Sequence, residues 1–318
     1  MPELPEVTTT VNGLKKALKG LSFGVIWTDL AKDNPIKQFE NTIKNKVFFE
    51  RFKRDIKNQK VVSVERRAKN ILINLSNGKT ILIHLKMTGH IIVGKYIFNK
   101  KVASSATRRK GGIWTPAPSE RKELHDPYNR FIHAVFPLSN GLAMVFCDSR
   151  KFGEITLINT KNAMETIHLK NIGPEPLEKS FNFKKFKNQI LLKPNKNIKT
   201  ILMDQSVIAG IGNIYSDEIL WLSSIHPESR TSKVPDKYLE LAFKSMKEIL
   251  NKGIHFGGDS MSDYRDIDGK KGNFQNHHNV YQKNKEPCSK KGCKGVIMRK
   301  VLDGRSAHFC NVHQKLFK

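Results

Sequence analysis

Residues 199–218 read KTILMDQSVIAGIGNIYSDE. Gly210 and Gly212 are two residues apart in this stretch, and glycine permits tight turns and a close approach of the backbone to another group. A helix that begins near Asn213 would offer free N–H groups and the positive end of its dipole to a phosphate. Gly-x-Gly-Asn is weak evidence by itself, so the rest of the chain must decide whether this stretch binds a polyanion.

The charge balance is the clearest bulk property. The 318 residues contain 56 Lys and Arg against 29 Asp and Glu, which gives a net charge of +27 and an isoelectric point near 9.9. This charge is typical of nucleic-acid-binding proteins. RNA or an anionic membrane surface would suit it equally, and a lysine-rich proteome would also contribute to the excess of Lys. No apolar run approaches the ~18 residues of a membrane span, and the N-terminus does not resemble a secretory signal. We therefore expect a soluble, intracellular chain of two or three domains.

The first half of the chain predicts β-structure behind one helix. Apolar residues recur at helical spacing over residues 5–20. Strands are indicated at 61–64, 71–75 and 81–85, with a turn at Asn77-Gly78, and a second hairpin spans residues 132–147 around Asn140-Gly141. Between the hairpins, the basic stretch 100–123, with Arg108-Arg109-Lys110 in it, is predicted to be a mobile loop.

The second half predicts helices and then a long loop. From about residue 175 the periodicity is helical, and one helix is expected to end near Lys252. Residues 257–280 lose that periodicity and contain several glycines. A long loop inside a compact domain is usually functional or disordered.

The tail carries a metal-ligand pattern, Cys288-x4-Cys293-x16-Cys310-x2-His313. Three thiolates and one imidazole fit a tetrahedral structural Zn²⁺ site. Too few residues follow Lys285 to build a core, so the one metal ion would supply the folding energy. Between these ligands, Asp303-Gly304 indicates a hairpin turn.

The N-terminus offers an amine. If Met1 is removed, Pro2 presents a secondary amine, and an α-amino group has a pKa near ~7.7–8.0, so part of it is unprotonated at neutral pH. Such an amine can attack a sugar C1′ and form a Schiff base. Glu3 could protonate the opening sugar, and Glu6 could hold a partner group or the base. Alternatively, Pro2 is only a second residue that permits removal of Met1.

The opening MPELPEV resembles the start of the formamidopyrimidine-DNA glycosylase family (Fpg, also called MutM). The related endonuclease VIII branch usually has Gly where this chain has Leu4. The resemblance implies that Pro2 is the Schiff-base nucleophile and Glu3 the general acid. Residues 66–72, RRAKNIL, are similar to the segment that carries the lysine of the lyase step, which implies that Lys69 contacts phosphate and assists elimination.

Two further segments extend the resemblance. Residues 84–89, HLKMTG, are similar to the family's H-L-G-M-S/T-G, which implies that Met87 fills the hole left by the everted base; Lys86 replaces the usual Gly. Residues 148–153, DSRKFG, are similar to D-x-R-R/K-F-G, which implies that Arg150 faces the orphaned cytosine and Phe152 wedges beside it. Excision of a base from a duplex requires that it be flipped out.

Residues 199–218 resemble the family's helix–two-turns–helix motif. This resemblance implies that Lys199 and Asn213 contact the DNA backbone near the lesion. Arg305 matches the arginine that grips the lesion phosphate. The loop 257–274 matches the one that closes over 8-oxoguanine, where Ser260 and Tyr264, together with Glu6, are candidate lesion contacts. The family's zinc pattern is C-x2-C-x16-C-x2-C, so the first knuckle here is two residues longer and His313 replaces the last cysteine.

The sequence thus predicts an α+β multidomain fold. We expect an N-terminal β-sandwich with a leading helix at 1–165, a helix–two-turns–helix domain with its capping loop at 166–284, and a zinc-finger β-hairpin at 285–318. The predicted function is a bifunctional glycosylase and abasic-site lyase that removes oxidised purines (8-oxoguanine and formamidopyrimidines) by β,δ-elimination. The partner is damaged double-stranded DNA, bound by a monomer in a prokaryotic cytoplasm without any membrane association. The alternatives are an endonuclease VIII-like enzyme for oxidised pyrimidines and a non-catalytic, zinc-dependent DNA-binding protein.

Overall fold

The computed structural model describes residues 1–100 and 112–318, so the run Arg108-Arg109-Lys110 of the predicted loop lies outside the described residues. The first helix, α1, spans Leu4–Leu18 and confirms the helix predicted at 5–20. Glu3 is its N-cap residue: its side chain accepts from the backbone of Glu6, and the Glu6 side chain accepts from the backbone of Glu3. One face of α1, with Val7, Val11 and Leu14, is buried in the N-terminal core.

Two antiparallel sheets pack behind this helix as a sandwich. The strand bounds are β1 Trp27–Thr28, β2 Val61–Arg67, β3 Asn70–Leu75, β4 Lys79–His84, β5 His90–Gly94, β6 Tyr96–Asn99, β7 Ile113–Pro116, β8 Ile132–Pro137, β9 Ala143–Cys147 and β10 Glu154–Asn159. One sheet has the order β1-β8-β9-β5 and the other β10-β4-β3-β2. Both predicted hairpins are confirmed. A second helix, α2, spans Lys46–Ile56, and its phenylalanines join α1 and both sheets in one core.

The predicted loop at 100–123 is only partly a loop. Residues Ile113–Pro116 form β7, which pairs with β6. Trp114 packs against Phe98 and Trp27, with ring centroids 5.2 and 6.2 Å away. A 3-10 turn follows at Lys122–His125. Propensity reasoning missed β7 because its stability comes from aromatic contacts with distant residues.

The helical part follows the sandwich. Its helices are α3 Phe183–Ile190, α4 Ile198–Met203, α5 Asn213–Leu222 and α6 Asp236–His255. Leu4 of α1 belongs to this second core and donates its N–H to the Gly210 carbonyl at 3.0 Å. The first turn of α1 therefore lies at the junction of the two cores. Among the described residues, none of the helices is long and apolar enough to cross a membrane.

The tail is a hairpin, as predicted. Its strands are β11 Ile297–Leu302 and β12 Arg305–Cys310. Asp303 and Gly304 between them have φ angles of 45° and 75°, which is the pattern of a two-residue turn with both residues left-handed. Trp221 of α5 packs with Ile297 and Cys310, so the hairpin is docked on the helix that follows the two-glycine turn.

Candidate active site

Pro2 lies at a cavity of about 210 Å³ at the junction of the sandwich and the helical part. The cavity is also lined by Glu6, Met87, Ile214 and Tyr264, so it receives residues from α1, a sandwich loop, α5 and the loop after α6. Pro2 is buried, whereas Met1 ahead of it is 41% exposed. Removal of Met1 would leave the Pro2 amine facing this cavity.

Glu3 is held by the N-terminus of α5. Its buried carboxylate accepts from the backbone N–H groups of Ile214 at 3.0 Å and Tyr215 at 3.5 Å. These are unpaired amides of a helix start, and the helix dipole adds to the attraction. A Cβ at Gly212 would come within 2.4 Å of the Glu3 carboxyl carbon. Gly212 therefore permits the close approach of the Glu3 side chain to the start of α5.

Glu6 accepts hydrogen bonds from three separate segments. The donors are the Glu3 N–H at 2.7 Å, the Tyr215 hydroxyl at 2.6 Å and the Asp259 N–H at 2.7 Å. Burial, together with the neighbouring Glu3 charge, raises the pKa of Glu6 to about 7. Tyr264 donates its hydroxyl to the Glu6 backbone carbonyl at 3.0 Å. Glu6 can therefore exchange a proton near neutral pH and also fixes how the surrounding segments meet.

Lys69 points from the sandwich towards the helical part. Its ammonium group donates to the Ile211 carbonyl at 2.9 Å. Burial lowers the pKa of Lys69, and the charges of Glu3 and Glu6 oppose that shift. A second cavity of about 300 Å³ adjoins Lys69 and is lined by His84, Lys86 and Glu154. Burial, aided by the Lys86 charge, lowers the pKa of His84 to about 3, so its imidazole is neutral.

Glu175, which the sequence did not single out, supports the segment before Lys69. Its carboxylate forms ion pairs with Arg66 at 2.6 Å and Arg67 at 3.0 Å and accepts the Ala68 N–H at 2.6 Å. Ala68 has φ of 52°, a left-handed conformation that is costly for alanine. The Glu175 carboxylate holds that strained residue and thereby sets the direction of Lys69.

Asp148 joins the two loops predicted to contact the base pair. Its buried carboxylate accepts from the Thr88 hydroxyl and from the N–H groups of Arg150 at 3.2 Å and Gly153 at 2.7 Å. Arg150 and Phe152 are exposed, with the guanidinium carbon 4.6 Å from the ring centroid. The structure thus brings the 84–89 and 148–153 loops together. Asp148 was visible in the DSRKFG segment, but its role depends on partners far along the chain.

Lys199, which the resemblance assigns to a DNA-backbone contact, is buried where α4, α5 and β12 meet. It is 1% exposed, and its ammonium group donates to Asp217 at 2.5 Å and to the Ser306 carbonyl at 2.7 Å. Asp217 also accepts the His308 N–H at 3.0 Å. Burial lowers the pKa of Lys199, and the Asp217 carboxylate opposes that shift. In this arrangement Lys199 joins α4 and α5 to the hairpin strand β12.

Asn213 and Arg305 lie at the start of α5 and at the hairpin turn. Asn213 is the first residue of α5, and its side-chain oxygen is buried without a hydrogen-bond partner among the described residues. Arg305 is exposed at the hairpin turn. Thr200 donates its hydroxyl to Asp303 at 2.7 Å and so ties that turn to α4.

Ser260, a predicted lesion contact, is used inside its own loop. Its hydroxyl donates to the Tyr264 carbonyl at 2.9 Å and accepts the Gly272 N–H at 2.8 Å. The 210 Å³ cavity is lined instead by its neighbours Met261 and Ser262 and by Tyr264. Of the two loop candidates, the structure brings Tyr264 to the cavity and leaves Ser260 at the base of the loop.

The four predicted metal ligands form one cluster. The ligand atoms of Cys288, Cys293, Cys310 and His313 all lie within 4.8 Å of one another. The separations are 3.6 Å for Cys293 and Cys310, and 3.4 Å for Cys288 and the His313 Nδ1. Bonds of about 2.0–2.3 Å in a tetrahedron place ligand atoms roughly 3.5–3.8 Å apart. The cluster therefore fits a metal ion of the size and preference of Zn²⁺.

The surroundings of the cluster also suit a metal site. Backbone N–H groups of Gly295 and Val312 point at the sulfurs of Cys293 and Cys310, at 3.3 and 3.4 Å. The other ring nitrogen of His313 lies 3.1 Å from the Trp221 carbonyl, which leaves Nδ1 free to ligate. The replacement of the family's last cysteine by His313 is thus accommodated by a hydrogen bond to α5.

Comparison with known proteins finds one family in both the N-terminal and the helical part of the chain. Residues 1–155 match the formamidopyrimidine-DNA glycosylase N-terminal domain, and residues 172–265 match the formamidopyrimidine-DNA glycosylase H2TH domain. The chain is 33% identical to the formamidopyrimidine-DNA glycosylase of Pelotomaculum thermopropionicum, over 99% of this chain and 100% of that one. It is 32% identical to the enzyme of Heliobacterium modesticaldum, with the same coverage.

Solved structures agree with these relatives. The Lactococcus lactis Fpg in complex with DNA that contains an abasic site has a TM-score of 0.78 and 30% identity, over 98% of this chain and 99% of that one. The L. lactis protein in complex with Fapy-dG-containing DNA has a TM-score of 0.77 and 30% identity, over 98% and 100% of the two chains. The Fpg-type architecture of sandwich, helical part and terminal hairpin is therefore shared over nearly the whole length.

Proposed function

The chain belongs to the formamidopyrimidine-DNA glycosylase family, and on that premise we propose that it excises oxidised purines from duplex DNA and then cleaves the strand at the abasic site. The observation that carries the proposal is the position of Pro2, at a cavity shared with Glu6, Met87 and the loop after α6. A net charge of +27 supports DNA as the partner. We further propose that it acts as a monomer in a prokaryotic cytoplasm.

The reaction begins at Pro2. With Met1 removed, the amine lone pair attacks C1′ of the damaged nucleotide, the bond to the base breaks, and the base leaves with the electron pair and takes up a proton. The attached nitrogen loses its proton to the Glu3 carboxylate, and Glu3 then gives that proton to the ring oxygen as the sugar ring opens. The product is an iminium between the proline nitrogen and C1′. Support for Glu3 in this role is its fixed position, one residue from the amine, at the N-terminus of α5.

Strand cleavage follows from the iminium. Loss of a proton from C2′ expels the 3′ phosphate, and loss of a proton from C4′ then expels the 5′ phosphate, so the gap carries phosphate at both ends. Water finally hydrolyses the iminium, which releases the sugar fragment and frees the Pro2 amine. Each elimination creates a phosphate leaving group that a cation can stabilise. Lys69, aimed at the junction by the Glu175 contacts, and the exposed Arg305 are our candidates for that role. Asn213 adds an amide at the start of α5, where phosphate binding is favoured.

Lesion access requires the base to leave the duplex. We propose that Met87 fills the vacated space, since it lines the same cavity as Pro2. Arg150 and Phe152 would occupy the opposite-strand side, where Arg can read a base edge with two hydrogen bonds. Tyr264 forms part of the cavity wall for the everted base, and Ser260 supports that wall through the loop.

We propose one structural Zn²⁺ held by Cys288, Cys293, Cys310 and His313. When bound, the ion supplies folding energy to a hairpin too small to have its own core. The chain's own residues then carry the effect to the site: Lys199 and Asp217 join the hairpin to the helices, and the turn presents Arg305. Replacement of Cys310 by Ser should abolish stoichiometric zinc, measured by elemental analysis, and weaken DNA binding; full zinc content would overturn the assignment.

The test of the proposed function is borohydride trapping. The Met-processed protein is mixed with a duplex that carries one 8-oxoguanine opposite cytosine, reduced, and digested for peptide mapping. We expect a covalent protein–DNA adduct at Pro2. The matched control is the same chain with an N-terminal extension retained, which keeps every side chain and blocks the Pro2 amine.

The other outcomes are equally informative. An adduct only with an oxidised pyrimidine would place the protein with endonuclease VIII. Tight binding without an adduct on any lesion or abasic site would leave a non-catalytic DNA-binding protein. An adduct that maps to Lys69 would refute the role given to Pro2.

A further inference from the structure

The loop after α6, residues 257–280, is attached to the sandwich by an ion pair between the buried Arg265 and the partly exposed Asp126. We name this segment the capping loop. Arg265 is the largest fully buried side chain among the described residues, and it belongs to this loop. Its guanidinium makes two-pronged contacts with Asp126 of the sandwich, at 3.1 and 3.2 Å from one nitrogen and 3.3 Å from another. Arg prefers this fork geometry for a carboxylate.

The same guanidinium fixes the cavity wall. Its remaining nitrogen donates to the backbone carbonyls of Ser262 at 2.9 Å and Tyr264 at 2.8 Å. Ser262 and Tyr264 both line the cavity at Pro2. Arg265 therefore connects a sandwich carboxylate directly to the backbone of the residues that form the cavity.

Further contacts hold the distal part of the capping loop against the sandwich. The Val93 N–H donates to the Ile267 carbonyl at 2.8 Å, and Arg121 donates to the Asp268 carbonyl at 2.9 Å. Ile267 packs on α1 at Gly13, where a Cβ would come within 2.6 Å of it. Residues 265–268 of the loop are thus seated on the sandwich, and Arg265 is the most buried of them.

We propose that Arg265 is a positioning residue that keeps the capping loop closed before DNA arrives and so presents a preformed cavity to the everted lesion base. The proposal rests on the proposed function and deepens it. A preformed wall matters for excision, which needs a base in the cavity, and not for an abasic site, which has no base to hold. The ratio of the two activities is therefore the quantity that Arg265 controls.

The experiment compares Asp126→Asn and Arg265→Ala with the wild-type chain on two duplexes. One carries 8-oxoguanine, and the other carries an abasic site at the same position; both are followed in single turnover. We expect excision to fall by about 10- to 100-fold, because a displaced cavity wall misplaces the substrate, while cleavage at the abasic site is unchanged. Asp126→Glu, which keeps a carboxylate, should recover most of the excision. Asp236→Asn, at an exposed ion pair with Lys187, is the matched control.

A measurement independent of activity accompanies the kinetics. In hydrogen exchange of the free protein, amides of residues 260–270 should exchange faster in Asp126→Asn than in the wild-type chain, with α6 unaffected. Equal losses of activity on both duplexes would show that Arg265 only stabilises the fold. Unchanged excision together with unchanged amide exchange would show that Arg265 does not hold the loop. Either result overturns the proposal. If the wild-type chain acted on neither duplex, the proposed function would fail, while the exchange result would still decide whether Arg265 closes the loop.

Discussion

The first turn of α1 and the paired loops at 84–89 and 148–153 contribute to the same region in opposite ways. Around the first turn, Glu3 and Glu6 are buried and their carboxylates accept from backbone and side chains of other segments. In the loops, Arg150 is exposed and Phe152 is 45% exposed. Only the loop backbone around them is held, by hydrogen bonds to the Asp148 carboxylate. Groups that transfer protons need one fixed geometry. Side chains that enter DNA need a fixed backbone and a side chain that is free to move.

The backbone shows the same contrast. Near the first turn, residues with positive φ are glycines: Gly210 at 86° beside Leu4 and Gly258 at 88° beside Glu6. In the loops, the positive-φ residues are Lys86 at 54° and Lys151 at 57°. A left-handed lysine costs stability that glycine would not. The loops therefore retain backbone strain that is absent from the first turn of α1, and Ala68 beside Lys69, at 52°, is strained in the same way.

The largest expected effect concerns the buried carboxylates in the first turn of α1. Glu3→Gln keeps an oxygen to accept from Ile214 but cannot give a proton. Excision should fall by about 10²- to 10⁴-fold, the usual contribution of general acid–base catalysis, with the melting temperature and DNA affinity unchanged. Single-turnover rates on an 8-oxoguanine duplex measure this. A fall in affinity equal to the fall in rate would mean that Glu3 is only part of the scaffold.

The next effect concerns the pH dependence of stability at Glu6. The pKa is raised to about 7 in the folded chain from 4.5, so the folded state binds the proton more tightly and stability is lost as pH rises from about 4.5 to 7. The free energy of unfolding of the wild-type chain, relative to Glu6→Gln, should fall by about 2–3 kcal/mol between pH 5 and pH 8. Urea unfolding at both pH values measures it. A difference that does not vary with pH would mean that Glu6 is ionised throughout this range.

A smaller effect is expected from the exposed side chains of the loops. Arg150→Ala should weaken binding to a lesion opposite cytosine by about 1–3 kcal/mol and reduce discrimination against other opposite bases. The free energy of unfolding should stay within roughly 0.5 kcal/mol of the wild-type value, since the side chain is exposed. Titration of duplexes that differ only in the opposite base measures the first, and urea unfolding the second. Equal losses for all opposite bases would reduce Arg150 to a phosphate contact.

The smallest effect tests the strained backbone. Lys151→Gly should stabilise the chain by about 0.5–1 kcal/mol, because glycine adopts φ of 57° without the steric cost but loses more entropy on folding. The matched control is Lys184→Gly in α3, which should destabilise by about 0.5–1 kcal/mol. Both are read from urea unfolding. If the two substitutions destabilised alike, the left-handed position would carry no strain.

Local pattern was enough for many features of this protein. The periodicity of residues 5–20 placed α1, Asn-Gly pairs placed two hairpin turns, and Asp303-Gly304 placed the third. The spacing of Cys288, Cys293, Cys310 and His313 identified a cluster that the fold does bring together. Each of these depends on residues close in the chain or on ligand types that occur together for one chemical reason. The domain limits 1–165, 166–284 and 285–318 stay predictions.

Other features were decided only by the tertiary structure. Lys199 is paired in the interior with Asp217 and the hairpin, and Ser260 supports its own loop, although motif position indicated contacts with DNA. Arg265 and Asp126 are 139 residues apart, and nothing in either neighbourhood indicates the other. A motif specifies which side chains are present, but burial and partner choice depend on which distant segments pack against them. Those contacts set the pKa of Glu6, the direction of Lys69 and the closure of the capping loop.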